Sequence, residues 1–482
     1  MEQQSAPEAP PTPAPSKGKG MWIGLIVVVI VIVVLLGAVF GGLLAPPATA
    51  LPQAVYHVGY PGDAIKYLPT VWTNRQAWTA KWFFSEGLRD QTFIDQLRTA
   101  GVNVSQIVGT SPTTSQNPAI LASETIFKEN YTARFNDPTS VGLFASQAYD
   151  GIFAMALAFA KANTTDTSSA AWKAAMRSVT NPPGTVIRPT EWSKAITEIS
   201  AGRDIDYVGA SGAVNFDQYG EVGSDYEVWG VNSTGKIFQK QFIAEGSWLP
   251  APSPAPAVGT RSDIGPHPTA LPVKIGTILS MTGSLGLYGQ DIRNATILAQ
   301  EEINNQGGIW GGTLTLVHDD DATNPTTGST VASKQINTDQ VKAILGSLAS
   351  SVSQKIYEVA KPAGIAELSP ASTSPLFTAL DDVDLFWRTA PSDALQGKAA
   401  ALYAYRDAGW RKVSVFNINN AYGNGLGDVF SSDFTTRGGQ VLRKVSYEPD
   451  KTSYDSELGT LFTPVVARAP PARVSRPEDG IR

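Results

Sequence analysis

The chain has 482 residues, a net charge of −6, 42% hydrophobic and 17% charged side chains, and no cysteine. That length suits two or three globular domains, and the mild acidity without any long basic run speaks against nucleic acid as a partner. Lack of cysteine excludes disulfides, thiolate metal sites, a cysteine nucleophile and a lipid-modified N-terminal cysteine; His57, His267 and His318 are too scattered to form a metal motif.

Residues 1–20 are rich in Pro and Ala and end in Lys17 and Lys19. Met21 to Leu44 then run without a charge, and at about 1.5 Å per residue they span roughly 36 Å, enough for one transmembrane helix. No Lys or Arg comes after them until Lys66, so the positive-inside rule puts residues 1–20 in the cytoplasm and the rest outside. The apolar length favours a retained anchor; the competing reading is a leader cut near Ala48–Ala50.

Pro-rich stretches at 45–52 and 249–272 divide the rest of the chain into segments 53–248 and 273–463, with a disordered tail over 464–482. In the first segment, Val55–Gly59 and Ala80–Phe84 read as strands, and Ala64–Val71 and Thr92–Arg98 as helices. Phe144–Ala162 reads as a core helix because it carries Gln147 and Asp150. Tyr226–Val231 and Lys236–Phe242 flank Asn232–Gly235 as a hairpin.

The second segment alternates more plainly. Strands are predicted at Val273–Leu279, Thr313–Val317, Val341–Leu345, Ile365–Leu368, Val413–Ile418 and Val441–Tyr447. Helices separate them at Tyr288–Asn305, Ser329–Asp339, Ser351–Ala363, Ala394–Ala408 and Gly425–Thr436, with a last helix at Tyr454–Phe462. Such alternation predicts an α/β fold of parallel sheets.

In such sheets ligands sit beyond the carboxyl ends of strands. Those ends carry Ser350, Ala371, Ser372 and Thr373, small residues at helix starts whose hydroxyls and backbone N–H groups suit a carboxylate. Each hydroxyl also reads as a simple helix N-cap. Glu86 ends an apolar strand and suits an ammonium group, or else is a solvated surface carboxylate. Tyr60, Tyr288 and Tyr422, also at strand ends or helix starts, are candidate pocket walls. Asp319–Asp321 reads as a solvated turn rather than a cation site, and Gly423–Gly427 is a weak match to a phosphate loop. No nucleophile–base pair, metal cluster or cofactor loop stands out, so the reading is of a binding protein with no catalytic residue, metal or cofactor.

The stretches KIGTILSMTGSLGLYGQDIRNATILAQEEINNQGGIWGG, GSLASSVSQ, LSPASTSP, FWRTAPSDALQG and NAYGNGLG resemble the first half of the periplasmic leucine/isoleucine/valine-binding protein family. AVYHVGYPGDA, KWFFSEGL, SQAYDGIFAMALA and GASGAVNFDQYGEVGSDYEVW resemble its second half, so the two halves stand in permuted order. The resemblance implies a type I solute-binding protein with two Rossmann-like lobes that close on a small aliphatic amino acid and pass it to an ABC importer. It also implies that Ser350, Ala371, Ser372 and Thr373 take the ligand carboxylate and Glu86 its ammonium. Tyr60 and Tyr422 then close over the ligand, and Tyr288 borders its side chain. The order is explained by circular permutation, by loss of the middle of a tandem pair, or by a reading-frame or assembly artefact, with a non-functional rearranged or truncated product as an alternative to a working receptor. A membrane-anchored sensing ectodomain is the other functional reading.

Overall fold

The computed structural model describes residues 49–73, 80–136, 141–244, 270–380 and 383–466. The apolar stretch Met21–Leu44, residues 1–20, most of both Pro-rich stretches and most of the tail lie outside these residues. Among the described residues, no helix is long and apolar enough to cross a membrane.

Two units result. In the smaller, β1 (Thr49–Ala50) pairs antiparallel with β16 (Val465–Val466). The larger, Leu51–Thr463, holds the remaining described strands. In chain order these are β2 (Ala54–Val58), β3 (Lys81–Phe84), β4 (Val108–Thr113), β5 (Thr185–Ile187), β6 (Ile205–Tyr207), β7 (Asp225–Val231) and β8 (Ile237–Ile243). Next come β9 (Val273–Leu279), β10 (Leu314–Asp320), β11 (Ala343–Gly346), β12 (Ala366–Ser369), β13 (Phe386–Arg388), β14 (Lys412–Ile418) and β15 (Gln440–Tyr447).

A five-stranded sheet in the order β10-β9-β11-β12-β13 is parallel throughout. A seven-stranded sheet runs β15-β14-β2-β3-β4-β7-β8. Its first five strands are parallel; β7 runs antiparallel to β4, which corrects the expectation of parallel strands there, and pairs antiparallel with β8 as the hairpin expected from the sequence. The reason for the hairpin is local: the turn Asn232–Gly235, with Gly235 at φ +87°, returns the chain at once, leaving no room for a crossover helix.

The seven-stranded sheet joins the two distant segments. β14 pairs with β2 from Val413↔Ala54 to Asn417↔Val58, so two strands of the second segment continue the sheet begun by the first. Both strands are apolar and buried, and their side chains build aromatic cores on the two faces of the sheet: between ring centroids, Tyr56 lies 4.2 Å from Phe430 on one face and Phe416 4.7 Å from Tyr447 on the other, where His57 also packs. His57 sits in this core beside Tyr67, and burial lowers its pKa to about 3, keeping it neutral.

The other lobe is equally mixed. The helix Ala145–Ala162 of the first segment lies against the five-stranded sheet. A Cβ on Gly151 would fall 2.6 Å from Leu368 and 2.8 Å from Leu345, so only glycine permits this approach. Trp192 donates to the Gly308 carbonyl (3.0 Å) and Trp310 to that of Ala160 (2.9 Å), tying the segments by buried hydrogen bonds. Strand β4, the helix Pro118–Phe135, the helices Ala170–Thr180 and Trp192–Ser200, and β13 are not among the predicted elements. One further reading is corrected. Asp321 is buried, accepting from the hydroxyls of Ser280 (2.7 Å) and Ser347 (2.5 Å), rather than solvated. Gly423, Gly425 and Gly427 belong to the helix Ala421–Thr436, whose start is capped by Asn420, and give it close approach to Ile418 and Pro375.

The loop after β12 is fastened to the chain leading into β7. Arg388, 1% exposed, donates to the carbonyls of Ser372 (3.1 Å) and Ser374 (2.8 Å) and pairs with Glu221 at 2.5 Å; Thr378 also donates to Glu221 (2.7 Å). Removing one partner leaves a buried charge uncompensated, so Glu221→Ala is expected to cost about 3–5 kcal/mol in denaturant unfolding. A smaller loss in Glu221→Ala paired with Arg388→Met would confirm that the orphaned guanidinium is the cause.

Candidate functional site

The carboxyl ends of the parallel strands of both sheets meet at one cavity within the larger unit. It holds about 370 Å³ of empty space, its open mouth included. Tyr60 follows β2, Glu86 and Gly87 follow β3, and Tyr422 opens the helix after β14. From the five-stranded sheet come Leu285 and Tyr288 after β9, Leu348 and Ser350 after β11, and Ala371 and Thr373 after β12. Leu143 and Phe144 enter from the start of the helix Ala145–Ala162, and Ile292 from the helix Gly286–Asn305.

Seven of the eight residues singled out in the sequence therefore line one cavity: Tyr60, Glu86, Tyr288, Ser350, Ala371, Thr373 and Tyr422. Ser372 does not. Its hydroxyl shares a hydrogen bond with Ser353 (2.8 Å) and points toward the Ser347 carbonyl (3.3 Å), while its N–H donates to Ser369 (2.9 Å). Side chains alternate along the extended loop, so the neighbours of Ser372 face the cavity while it faces the protein.

The cavity has a polar end and an apolar end. Glu86 is 2% exposed, and burial raises its pKa to about 7 against hydrogen bonds from Gln396 and the local backbone. The Gln396 amide donates to the Glu86 carboxylate. Thr373 donates to Asp393 (2.8 Å), whose burial and nearness to Glu86 push its carboxyl well above the ordinary range. The Ser350 hydroxyl accepts from the Ser374 N–H (3.3 Å) and keeps its own proton to donate, at the start of the helix Ser350–Ala360. Leu143, Phe144, Leu285, Ile292 and Leu348 line the apolar end.

Aromatic groups close the space. Tyr60 and Tyr422 stack with centroids 5.4 Å apart and planes 6° apart; Tyr422 donates to Ser85 (2.8 Å). Tyr288 reaches from the five-stranded lobe to the Gly87 carbonyl (3.2 Å). A Cβ on Gly87 would lie 2.7 Å from the Gly59 carbonyl and 2.9 Å from the Tyr422 hydroxyl, so this position admits only glycine. Among the described residues, no group of three or more His, Asp or Glu could hold a metal ion.

Asp393, Gln396 and the apolar lining were missed in the sequence. The first two follow the Ser392 cap as carboxyl and amide groups three residues apart, a pattern that in sequence marks only a polar helix start.

Residues 272–461 match the family described as periplasmic binding protein, and residues 48–234 the family described as receptor family ligand binding region. The chain is 31% identical over 166 residues to a Leu/Ile/Val-binding protein of Rhizobium johnstonii, covering 34% of this chain and 45% of that one. It is 32% identical over 154 residues to the Leu/Ile/Val-binding protein of Escherichia coli, covering 32% and 41%. The match thus spans less than half the length of these relatives. A leucine-binding protein of Thermotoga maritima, of solved structure, matches at 30% identity and a TM-score of 0.36, over 39% of this chain and 52% of that one. Solute-binding proteins of this type are not enzymes. Two parts of the chain are thus similar to families of periplasmic and receptor ligand-binding proteins, and the relatives they match are leucine/isoleucine/valine-binding proteins.

Proposed function

We propose that the chain captures a small aliphatic amino acid outside the cytoplasm and hands it to an ABC importer. The observation that carries this reading is a single buried cavity with Glu86 on one lobe and Ser350 and Thr373 on the other. A zwitterion needs both: an acceptor for its ammonium, and donors for its carboxylate, here the Ser350 hydroxyl at a helix start and the backbone N–H groups of the loop around Thr373. Ala371 and Thr373 would complete the carboxylate end, and Tyr60 and Tyr422 would close over the ligand. Tyr288 and the apolar lining would take an aliphatic side chain. Such charge-assisted bonds are strong where water is excluded, as it is around side chains this deeply buried.

Circular permutation accounts best for the order of the segments. The pairing of β2 with β14 supports it, since the two segments complete one sheet within one chain. Residues 249–272, between β8 and β9, would join the ancestral ends. The antiparallel pairing of β1 with β16, which brings the two new ends of the chain together, also favours it. In this reading 53–248 and 273–463 are the exchanged halves, 464–482 is a tail, and residues 21–44 hold the receptor to the membrane with 1–20 in the cytoplasm. The importer's membrane permease would be its partner.

The test is calorimetric titration of the purified chain with L-leucine, L-valine, L-alanine and leucinamide. Binding of one or more of the acids, with leucinamide at least about tenfold weaker for want of a carboxylate, is expected. A chain that binds none of them, or binds the amide equally well, would refute the reading.

A further inference from the structure

The first turn of the helix Asp393–Leu402 touches both sides of the polar end of the cavity. It starts just after β13 of the five-stranded sheet, and its body packs beside the helix Ala421–Thr436 of the other lobe. Asp393 faces back: its N–H donates to the Thr373 carbonyl (2.7 Å), and its Oδ2 accepts from the Thr373 hydroxyl (2.8 Å). Gln396, one turn on, faces forward, its amide donating to the Glu86 carboxylate. Thr373 and Glu86 belong to different lobes, so one helical turn orients a cavity group of each.

We infer that this turn is the positioning element of the polar end, with Asp393 carrying a proton and acting as a neutral partner of Thr373 while Gln396 orients Glu86, so that Glu86 is the sole anion offered to an ammonium group. The inference rests on the proposed capture of an amino acid.

Three observations support the proton on Asp393. Its side chain is fully buried, and its Oδ1 is a buried oxygen without a hydrogen-bond partner, which an ionised carboxylate tolerates poorly. Arg388, whose charge favours ionisation of Asp393, hydrogen-bonds to the Ser372 and Ser374 carbonyls and to Glu221 and not to Asp393. A helix N-terminus favours a carboxylate by less than burying an ion costs. The other titratable groups facing the pair are Tyr56 on β2, Tyr60 after it, Tyr288 on the helix Gly286–Asn305 and Tyr422 on the helix Ala421–Thr436. Burial holds all four phenols above their ordinary range, so none adds a negative charge at neutral pH. Burial and the Glu86 charge push Asp393 the same way.

The carboxamide of asparagine is an isostere of the protonated acid, which makes the inference testable. In titrations of the purified chain with L-leucine, Asp393→Ala and Gln396→Leu are each expected to weaken binding about tenfold or more, the effect of losing a hydrogen bond to a charged or buried group. Asp393→Asn is expected to recover most of the loss, and the pH at which affinity begins to fall should not move, because Glu86 sets it. Infrared difference spectra of the ligand-free chain at pH 7, wild type minus Asp393→Asn, should contain a protonated-carboxyl C=O band. Absence of that band, or an Asn variant as weak as Ala, overturns the inference. Failure of the wild type to bind any amino acid sinks the proposed function instead, and the infrared measurement then decides the state of Asp393 alone.

Discussion

Glu86→Ala should all but abolish L-leucine binding in calorimetric titration of the purified chain, weakening it by about 150-fold to about 5,000-fold. The cavity offers one ionisable acceptor toward its open space, and the Gln396 amide is already committed to it. A captured ammonium group would lie buried, and leaving a buried charge without its partner costs about 3–5 kcal/mol, which converts to that range of affinity. The variant should nonetheless fold. In the empty chain Glu86 titrates at about 7 rather than at its ordinary 4.5, because burial disfavours its charge. The stability gained by keeping it protonated is complete below about pH 4.5 and is lost as pH rises through 7. Alanine removes that liability, so its melting temperature without ligand should equal or exceed that of the wild type at pH 8, while the rise on adding leucine disappears. The wild type should bind best above pH 7 and lose affinity as pH falls through it, by up to about tenfold per unit. Retained binding by Glu86→Ala, or affinity that is flat from pH 8 to pH 5, would remove Glu86 from the site.

The second large effect comes from a residue that need touch no ligand. Gly62, at the start of the helix Pro61–Thr73, meets the turn Gly283–Leu285 of the other lobe. A Cβ there would stand 2.7 Å from Ser284 Cα and 3.1 Å from its carbonyl oxygen. Those are backbone atoms and cannot swing aside. Beside this contact, the Ser284 hydroxyl donates to Asp450 (3.3 Å), and the Asp450 N–H donates to Asp63 (2.8 Å). Gly62→Val should therefore hold the lobes apart while leaving each sheet intact. Overpacking costs about 1–3 kcal/mol, so leucine affinity should drop roughly 5-fold to 150-fold. Small-angle scattering should show a larger radius of gyration with leucine present than for the wild type. Gly459→Ala, which meets no atom within 4 Å, serves as the control for a helical glycine and should alter neither.

The legibility of fold and site in the sequence depends on how local each signal is. Val273–Leu279, Val413–Ile418 and the helix over 286–305 are periodic within their own windows, and the structure contains them within a residue or two of the expected bounds. Strand ends can then be located, and with them Glu86, Ser350, Thr373 and the three tyrosines. β4, with sequence VGTSPT, carries a proline and four hydroxyl or glycine positions, so nothing in its own residues marks a strand; its partners β3 and β7 make it one. β5 and β6 have three residues each, too short for a pattern. Phe144 reads as the start of a helix; its φ of 66° and its place at the cavity come from where Ala145–Ala162 must dock, not from neighbouring residues. Asp393 and Gln396 look like an ordinary polar helix start, because Thr373 and Glu86 reach them only once the chain has crossed between lobes.

Everything rests on two segments, separated in the sequence, forming one cavity inside one chain. The direct measurement is leucine stoichiometry on the purified chain with its mass determined by sedimentation in the same solution. One leucine per monomer at concentrations far below any self-association is the expected result. Leucine bound only by dimers or larger assemblies would mean that the halves are exchanged between chains, and would contradict it.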